Sequence, residues 1–101
     1  MNSEILNFDN NEDIYKKIKE DNKITSKNIT KYEYAKIIGI SAQQIETGRV
    51  PSIKLPPSLK NPIEIAEYEL ANKATPFIIK RKLPNNEFEY YTIEELELNI
   101  N

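Results

Sequence analysis

The sequence has no cysteine, no histidine and no tryptophan, and it has only two glycines and two arginines. Without cysteine, the chain can form no disulfide and offers no thiolate to a metal ion. Without histidine, it lacks the commonest general base and metal ligand near neutral pH. Two isolated glycines cannot build a glycine-rich loop that cradles phosphate. We therefore expect no cofactor, no metal site and no catalytic residues in this chain.

Long apolar runs and concentrated positive charge are also missing. No apolar run approaches the roughly 20 residues that a membrane-spanning helix needs, and the first residues lack the pattern of a secretory signal. The 14 basic and 16 acidic side chains are interleaved and give a net charge of −2. Because cation–phosphate contacts supply most affinity for nucleic acid, we expect an intracellular protein that binds neither a membrane nor a specific nucleic-acid sequence.

The clearest positive signal is a helix between Thr30 and Gly48. Thr30 is a good N-cap, and Glu33 three residues later completes a capping box. Ile29 and Tyr34 are placed to form a hydrophobic staple around this cap. Gly48 is the expected stop, because glycine adopts the left-handed conformation at little cost. Apolar residues at helical spacing predict the packed stripe of this helix: Ala35, Ile38, Ala42 and Ile45.

A second helix is predicted to begin at Asn61, with Pro62 at its first helical position. Pro76 limits its C-terminal end to about Lys73 or Ala74. The stretch 49–60 contains three prolines, which disfavour helix and central strand, and is expected to be an extended connector.

A β-hairpin is expected near the C-terminal end. Two β-prone runs, residues 77–81 and 87–92, flank the turn-forming sequence Pro84-Asn85-Asn86. Three cations on one strand could face two acids on the other, which would add modest cross-strand attraction: Lys80, Arg81 and Lys82 opposite Glu87 and Glu89. Thr92 and Glu95 have the spacing of another capping box, which predicts a helical turn that carries Leu96 back to the core.

Residues 1–28 differ from the rest, because asparagine and acidic residues predominate there. We expect a flexible N-terminal arm, with a short helix over 13–19 and ordering on a partner as alternatives. Residues 29–101 would then form one domain. The expected fold is α+β and mainly helical, with two packed helices, the extended connector, the C-terminal β-hairpin and a short closing turn.

Several motifs occur in a characteristic order and spacing. The first runs from Thr30-Lys31-Tyr32-Glu33 through Ala35, Gly39, Ala42, Gln44 and Ile45. Others are Asn61-Pro62, Pro76 to Arg81, and Tyr90 to Leu96. Together they resemble the small omega-type subunit of DNA-directed RNA polymerases, in the eukaryotic and archaeal branch. The family commonly carries an arginine where this chain has Ser41, at a position where a salt bridge or polar anchor would be expected.

The resemblance implies a non-catalytic polymerase subunit that supports folding, assembly and stability of the complex during transcription. The implied partners are the largest polymerase subunit and the rest of the polymerase core. Partner contact falls on the matching residues Lys31, Tyr32, Ala35, Gly39, Ala42 and Gln44. The location would be nucleus, cytoplasm or virion according to the source. The heavy use of Asn, Ile, Lys and Tyr suggests an AT-rich genome, which fits some giant viruses as well as many cells.

Two alternatives remain at the level of sequence. Gly39-Ile40-Ser41 is similar to the turn of a helix-turn-helix DNA-binding regulator, although the segment after it carries no basic residue before Arg49. Glu64 and Glu67 could form a carboxylate pair in an enzyme. They are better explained as solvent-facing residues on adjacent turns of a helix.

Five tyrosines are also open to two interpretations. Each could anchor a partner at an interface or pack in the core with its hydroxyl at the surface. They are Tyr32, Tyr34, Tyr68, Tyr90 and Tyr91.

Overall fold

Within the part of the chain that the structure describes, two helices and a three-stranded antiparallel sheet form the fold, which confirms the predicted α+β class. The computed structural model describes residues 3–7 and 23–99. In chain order the elements are β1 (Ser3–Asn7), α1 (Lys31–Glu46), α2 (Pro62–Ala71), β2 (Phe77–Lys82) and β3 (Phe88–Thr92), followed by a 3-10 turn (Ile93–Glu95).

Both ends of α1 form as the sequence predicts. The Thr30 hydroxyl accepts the N–H of Glu33, and the Glu33 carboxylate accepts the N–H of Thr30, each at 3.0 Å. At the other end Gly48 has a φ of +118°. Its N–H donates to the carbonyl of Ile45 and the next N–H donates to that of Gln44, as in a Schellman motif.

The predicted packed stripe of α1 is wrong in its position. Ala35 is exposed, and the other three members are only half-buried. The fully buried residues are Glu33, Ile37 and Ser41, which lie four apart on one face. Two of these three residues are polar. The spacing of apolar residues could not indicate this buried face, because a paired carboxylate and a hydroxyl occupy two of its three positions.

Helix α2 begins where predicted, with the Asn61 side chain accepting the N–H of Ile63 at 2.8 Å. It ends at Ala71, two residues before the predicted end. The cause is Lys73, which has a φ of 55° and donates its N–H back to the carbonyl of Leu70. The stretch 49–60 contains no helix or strand, as expected for the connector.

The sheet has the strand order β1-β2-β3, with both pairs antiparallel. Strands β2 and β3 form the predicted hairpin, and Asn86 in its turn has a φ of 66°. Strand β1 was not expected from the sequence, since its residues belong to the stretch predicted to be the N-terminal arm. Ser3 lies opposite Arg81 and Asn7 lies opposite Phe77. The helix considered for 13–19 lies outside the described residues.

The 3-10 turn returns Leu96 to the core, as predicted, with none of its surface exposed. The capping box expected for this turn is wrong, because Thr92 makes no side-chain cap. The Glu95 carboxylate instead forms an ion pair with Lys23.

The core lies between the helices and the inner face of the sheet. Ile37 of α1 and Leu70 of α2 belong to one apolar cluster with residues from the strands and the closing turn: Ile29, Phe77, Ile79, Tyr91, Ile93 and Leu96. A smaller cluster contains Ile78 and Tyr90, with Leu6 packed against it. Tyr90 and Tyr91 are therefore core tyrosines, whereas Tyr32 is 59% exposed. Tyr34 and Tyr68 are half-buried.

Candidate functional site: the outer face of helix α1

Five of the six predicted partner contacts lie on the outward side of α1. We call them the outer ridge: Lys31, Tyr32, Ala35, Gly39 and Ala42. They share a side because their spacing follows helical turns. Four of them are exposed and Ala42 is half-buried. A Cβ built on Gly39 would meet no atom of the described residues within 4 Å, so these residues leave the centre of the ridge open.

The ridge combines small residues with an aromatic end. Ala35, Gly39 and Ala42 leave the helix backbone accessible to close approach by another chain. Tyr32 stands at the first turn, where the Lys36 ammonium lies 5.5 Å from its ring centroid. An exposed aromatic ring of this kind is typical of protein interfaces.

Gln44, the sixth predicted contact, does not join the ridge. Its side chain is half-buried and its amide donates to the Asn7 side chain of β1 at 3.4 Å. The structure therefore places it toward the sheet, and its role as a partner contact stays a prediction.

The opposite side of α1 is fixed by a buried ion pair. Arg81 of β2 donates to both carboxylate oxygens of Glu33, from Nε at 2.9 Å and from Nη2 at 2.8 Å. The same carboxylate accepts the N–H of Thr30 and, at 2.6 Å, the hydroxyl of Ser3. Glu33 is fully buried and Arg81 is 2% exposed. Such bidentate, charge-assisted pairs are the strongest hydrogen bonds available to side chains.

The remaining donors of Arg81 hold the segment before α1. Nη1 donates to the Thr25 hydroxyl and to the carbonyl of Ser26, and Nη2 donates to the carbonyl of Asn28. The guanidinium carbon also lies 4.9 Å from the centroid of the Tyr91 ring. All five N–H groups of the guanidinium are thus satisfied, which a buried arginine requires.

Two carboxyl groups at this centre have pKa values below the ordinary range. Burial acts to raise the pKa of Glu33, but hydrogen bonds from Arg81, Ser3 and Thr30 outweigh it and lower the pKa. Burial likewise acts to raise the pKa of Glu89, and the hydrogen bonds from Thr25 and the N–H of Ile24 lower it. Both carboxylates are therefore charged near neutral pH.

The facing of cations and acids predicted for the hairpin is confirmed for Arg81, which lies opposite Glu89 in register. Its guanidinium forms its hydrogen-bonded ion pair with Glu33. Lys80 lies over the Phe88 ring, 4.1 Å from its centroid. The sequence contained a signal for the true arrangement: Arg81 falls on the inward side of an alternating strand, where a cation needs a buried partner.

A second buried pair anchors the connector. Arg49 donates from both terminal nitrogens to Glu69 of α2, at 2.9 and 2.8 Å. Ser41 of α1 is fully buried, and its hydroxyl has no hydrogen-bond partner within the described part of the chain. The connector therefore supplies a half-buried cation to the buried Glu69, while position 41 itself provides no salt bridge.

The alternatives from the sequence find no matching geometry in the described residues. Helix α1 runs without a break through Gly39-Ile40-Ser41, so the turn of a helix-turn-helix motif is absent there. Glu64 and Glu67 are both exposed. Across residues 3–7 and 23–99, no cluster of three acidic side chains is arranged to hold a metal ion. Neither described helix is long and apolar enough to cross a bilayer.

Comparison with known proteins gives several similar chains. DNA-directed RNA polymerase subunit 6 of Acanthamoeba polyphaga mimivirus is 39% identical over 82 residues, which are 81% of this chain and 20% of that protein. Subunit RPABC2 of RNA polymerases I, II and III of Saccharomyces cerevisiae is 38% identical over 85 residues, or 84% of this chain and 54% of the yeast subunit. The chain thus spans only about a fifth and about half of these two relatives. No protein-family model matches the chain.

An archaeal relative is covered almost completely. Subunit Rpo6 of the RNA polymerase of Thermofilum pendens is 39% identical over 70 residues, which are 69% of this chain and 86% of the archaeal subunit. The similar stretch therefore makes up most of the archaeal subunit. On this evidence the chain belongs to the RNA polymerase subunit 6 family, together with the RPABC2 and Rpo6 proteins.

Proposed function

We propose that this chain is a non-catalytic subunit of a multisubunit DNA-directed RNA polymerase and binds the largest subunit through the outer ridge of α1. Binding would support the folding, assembly and stability of the largest subunit during transcription. The proposal rests on family membership and, within the molecule, on one observation: Ala35 and Gly39 of the ridge are exposed, although three residues on the opposite side of the same helix are completely buried.

The chemistry of the ridge favours a protein partner. Small side chains at Ala35 and Gly39 permit close backbone approach, and Tyr32 offers a large apolar contact with a polar tip. Lys31 adds a cation at one end of the ridge. Nucleotide addition and its metal ions would belong to the larger subunits, so this chain would act inside the cell as part of the polymerase core without a cofactor.

The first experiment identifies the partner. The tagged chain is purified from its native source, and mass spectrometry measures the proteins that co-elute near stoichiometry. We expect the two large polymerase subunits. Recovery of the chain without any polymerase subunit would contradict the proposed function.

The second experiment locates the interface with two matched substitutions. Ala35 and Ala71 are both exposed alanines on helices, but only Ala35 belongs to the outer ridge. Ala35→Leu should weaken binding of the largest subunit about tenfold or more, because forcing extra methylenes into a packed contact costs about 1–3 kcal/mol. Ala71→Leu should leave the affinity within about twofold of wild type. Equal affinities for both variants would show that the ridge is not the interface.

A further inference from the structure

Strand β1 contacts both ends of α1. Its first residue, Ser3, donates to Glu33 in the first turn of the helix at 2.6 Å. Its last residue, Asn7, accepts from Gln44 in the last part of the helix at 3.4 Å. The strand is itself fixed to β2 along its whole length. Strand β1 is remote from the outer ridge, but it contacts both ends of α1, the helix that carries the ridge.

The first turn of α1 is the end where this contact matters most. Helix termini lack intrahelical partners for their N–H groups and fray easily. Lys31 and Tyr32 of the outer ridge lie in this turn. The carboxylate of Glu33 closes the turn by accepting the N–H of Thr30. Whatever holds that carboxylate in place also holds the turn.

Two strands share the task of holding Glu33. Arg81 provides two hydrogen bonds from β2, and Ser3 provides one from β1. Ser3 is only 8% exposed, so its hydroxyl is a sheltered donor to a charged acceptor, a strong class of hydrogen bond. Asn7 is exposed and its contact is longer, so it contributes less.

We propose that β1 is a brace for the docking helix, in which Ser3 and Asn7 are positioning residues that keep α1 ready for its partner. The proposal rests on the proposed function, since the outer ridge is the surface that the brace presents. If the first turn of a helix is ordered in only a fraction of the molecules, the apparent binding affinity is the intrinsic affinity multiplied by that fraction. Loss of the brace would lower the ordered fraction and weaken binding, although neither residue belongs to the outer ridge.

The test uses three variants of the full chain. Ser3→Ala removes the hydroxyl, and Ser3→Thr keeps one as the conservative rescue. Glu4→Gln is the matched control, because Glu4 is exposed on the same strand and lies opposite Lys80 instead of Arg81. Amide hydrogen exchange of the free chain and affinity for the largest polymerase subunit are measured for each.

For Ser3→Ala we expect exchange at the N–H groups of Glu33 and Tyr34 to be at least threefold faster, with little change at Ile79 in the sheet. Binding of the largest subunit should weaken about three- to tenfold. Ser3→Thr should restore both values, and Glu4→Gln should change neither. Asn7→Ala should weaken binding about twofold.

Two results would overturn the brace. One is a uniform increase of exchange across helix and sheet, which would make Ser3 a general contributor to stability. The other is unchanged affinity of Ser3→Ala for the largest subunit. A wild-type chain that does not bind the largest subunit at all would instead contradict the proposed function, so the two failures are distinguishable.

Discussion

The two sides of α1 differ in almost every physical respect. On the inner side, Glu33, Ile37 and Ser41 have no exposed surface, and the carboxylate is held by an arginine. On the outer side, Tyr32 is 59% exposed, and a Cβ at Gly39 would meet no atom of residues 3–7 or 23–99 within 4 Å. The inner side holds the fold together, and the outer side contributes little to it. Substitutions should therefore separate stability from binding within a single helix.

The largest effect is expected from the ion pair on the inner side. Arg81→Met leaves the Glu33 carboxylate buried without its cation, which should cost about 3–5 kcal/mol in the free energy of unfolding. Urea denaturation followed by circular dichroism measures this change. Lys82→Met is the matched control, because Lys82 is the exposed neighbour on the same strand and should change stability by less than about 0.5 kcal/mol.

Arg81→Lys sharpens the same comparison. Lysine keeps the positive charge but cannot reproduce the two parallel hydrogen bonds to Glu33 or those to the segment before α1. We expect a stability between those of wild type and Arg81→Met. If Arg81→Lys and Arg81→Met were both as stable as wild type, the inner side would not depend on this pair.

The next effect comes from apolar packing on the inner side. Ile37→Ala removes a completely buried side chain and should cost about 2–5 kcal/mol. Ile63→Ala should cost less than about 0.5 kcal/mol, because that side chain is 53% exposed on α2. Thermal or urea unfolding compares the two. Similar costs for both isoleucines would contradict the burial described for α1.

The pH dependence of stability follows from the lowered pKa values of Glu33 and Glu89. As the pH falls, the unfolded chain takes up protons at these groups before the folded chain does. Their contribution is complete above the ordinary pKa of 4.5 and is lost as the pH falls through the lower folded values. Each carboxyl should add a slope of at most about 1.4 kcal/mol per pH unit in that window.

Urea unfolding between pH 7 and pH 3 measures this slope. Glu33→Gln should remove the share of Glu33, and the exposed Glu67→Gln should leave the slope unchanged. A slope that is the same in wild type and Glu33→Gln would show that the Glu33 carboxylate does not gain stability from its partners.

The smallest effect is expected on the outer side and has the opposite sign. Gly39→Ala should stabilise the free chain by about 0.5–1 kcal/mol, because alanine favours helix over glycine and its Cβ has open space. Urea denaturation of the free chain checks this. Destabilisation would mean that the outer ridge is already covered within the chain itself.

Local signals in the sequence predicted a large part of the fold. The capping box of Thr30 and Glu33, the Asn61 cap and the hairpin turn at Asn86 all act through neighbouring residues, and all three are found. Each of these depends on hydrogen bonds over two to four residues, which spacing alone can indicate.

Long-range pairing could not be predicted in the same way. Strand β1 joins the sheet through partners 70 to 78 residues away, from Asn7 opposite Phe77 to Ser3 opposite Arg81. Glu33 appeared only as a capping residue, although its buried role depends on Arg81, 48 positions later. The predicted apolar stripe of α1 was wrong for the same reason. The inner side of α1 is partly polar, and the carboxylate of Glu33 can be buried there only because it is paired with Arg81.

The role of the candidate site stays a prediction, and the structure shows how its residues are arranged. Its residues came from a family resemblance, and five of the six share one exposed side of α1. Gln44 lies apart from the other five because β1 supplies Asn7 as its neighbour, which sequence spacing alone did not show.

Hydroxyl-radical footprinting of this chain, free and bound to the largest polymerase subunit, tests most directly whether binding occurs through the outer ridge. We predict that Tyr32, which is 59% exposed in the free chain, becomes protected in the complex. The exposed Val50 and Ile63 report on the connector and on α2 in the same experiment. An intact complex in which Tyr32 reacts as readily as in the free chain, with protection only at Val50 or Ile63, would contradict binding through the outer ridge.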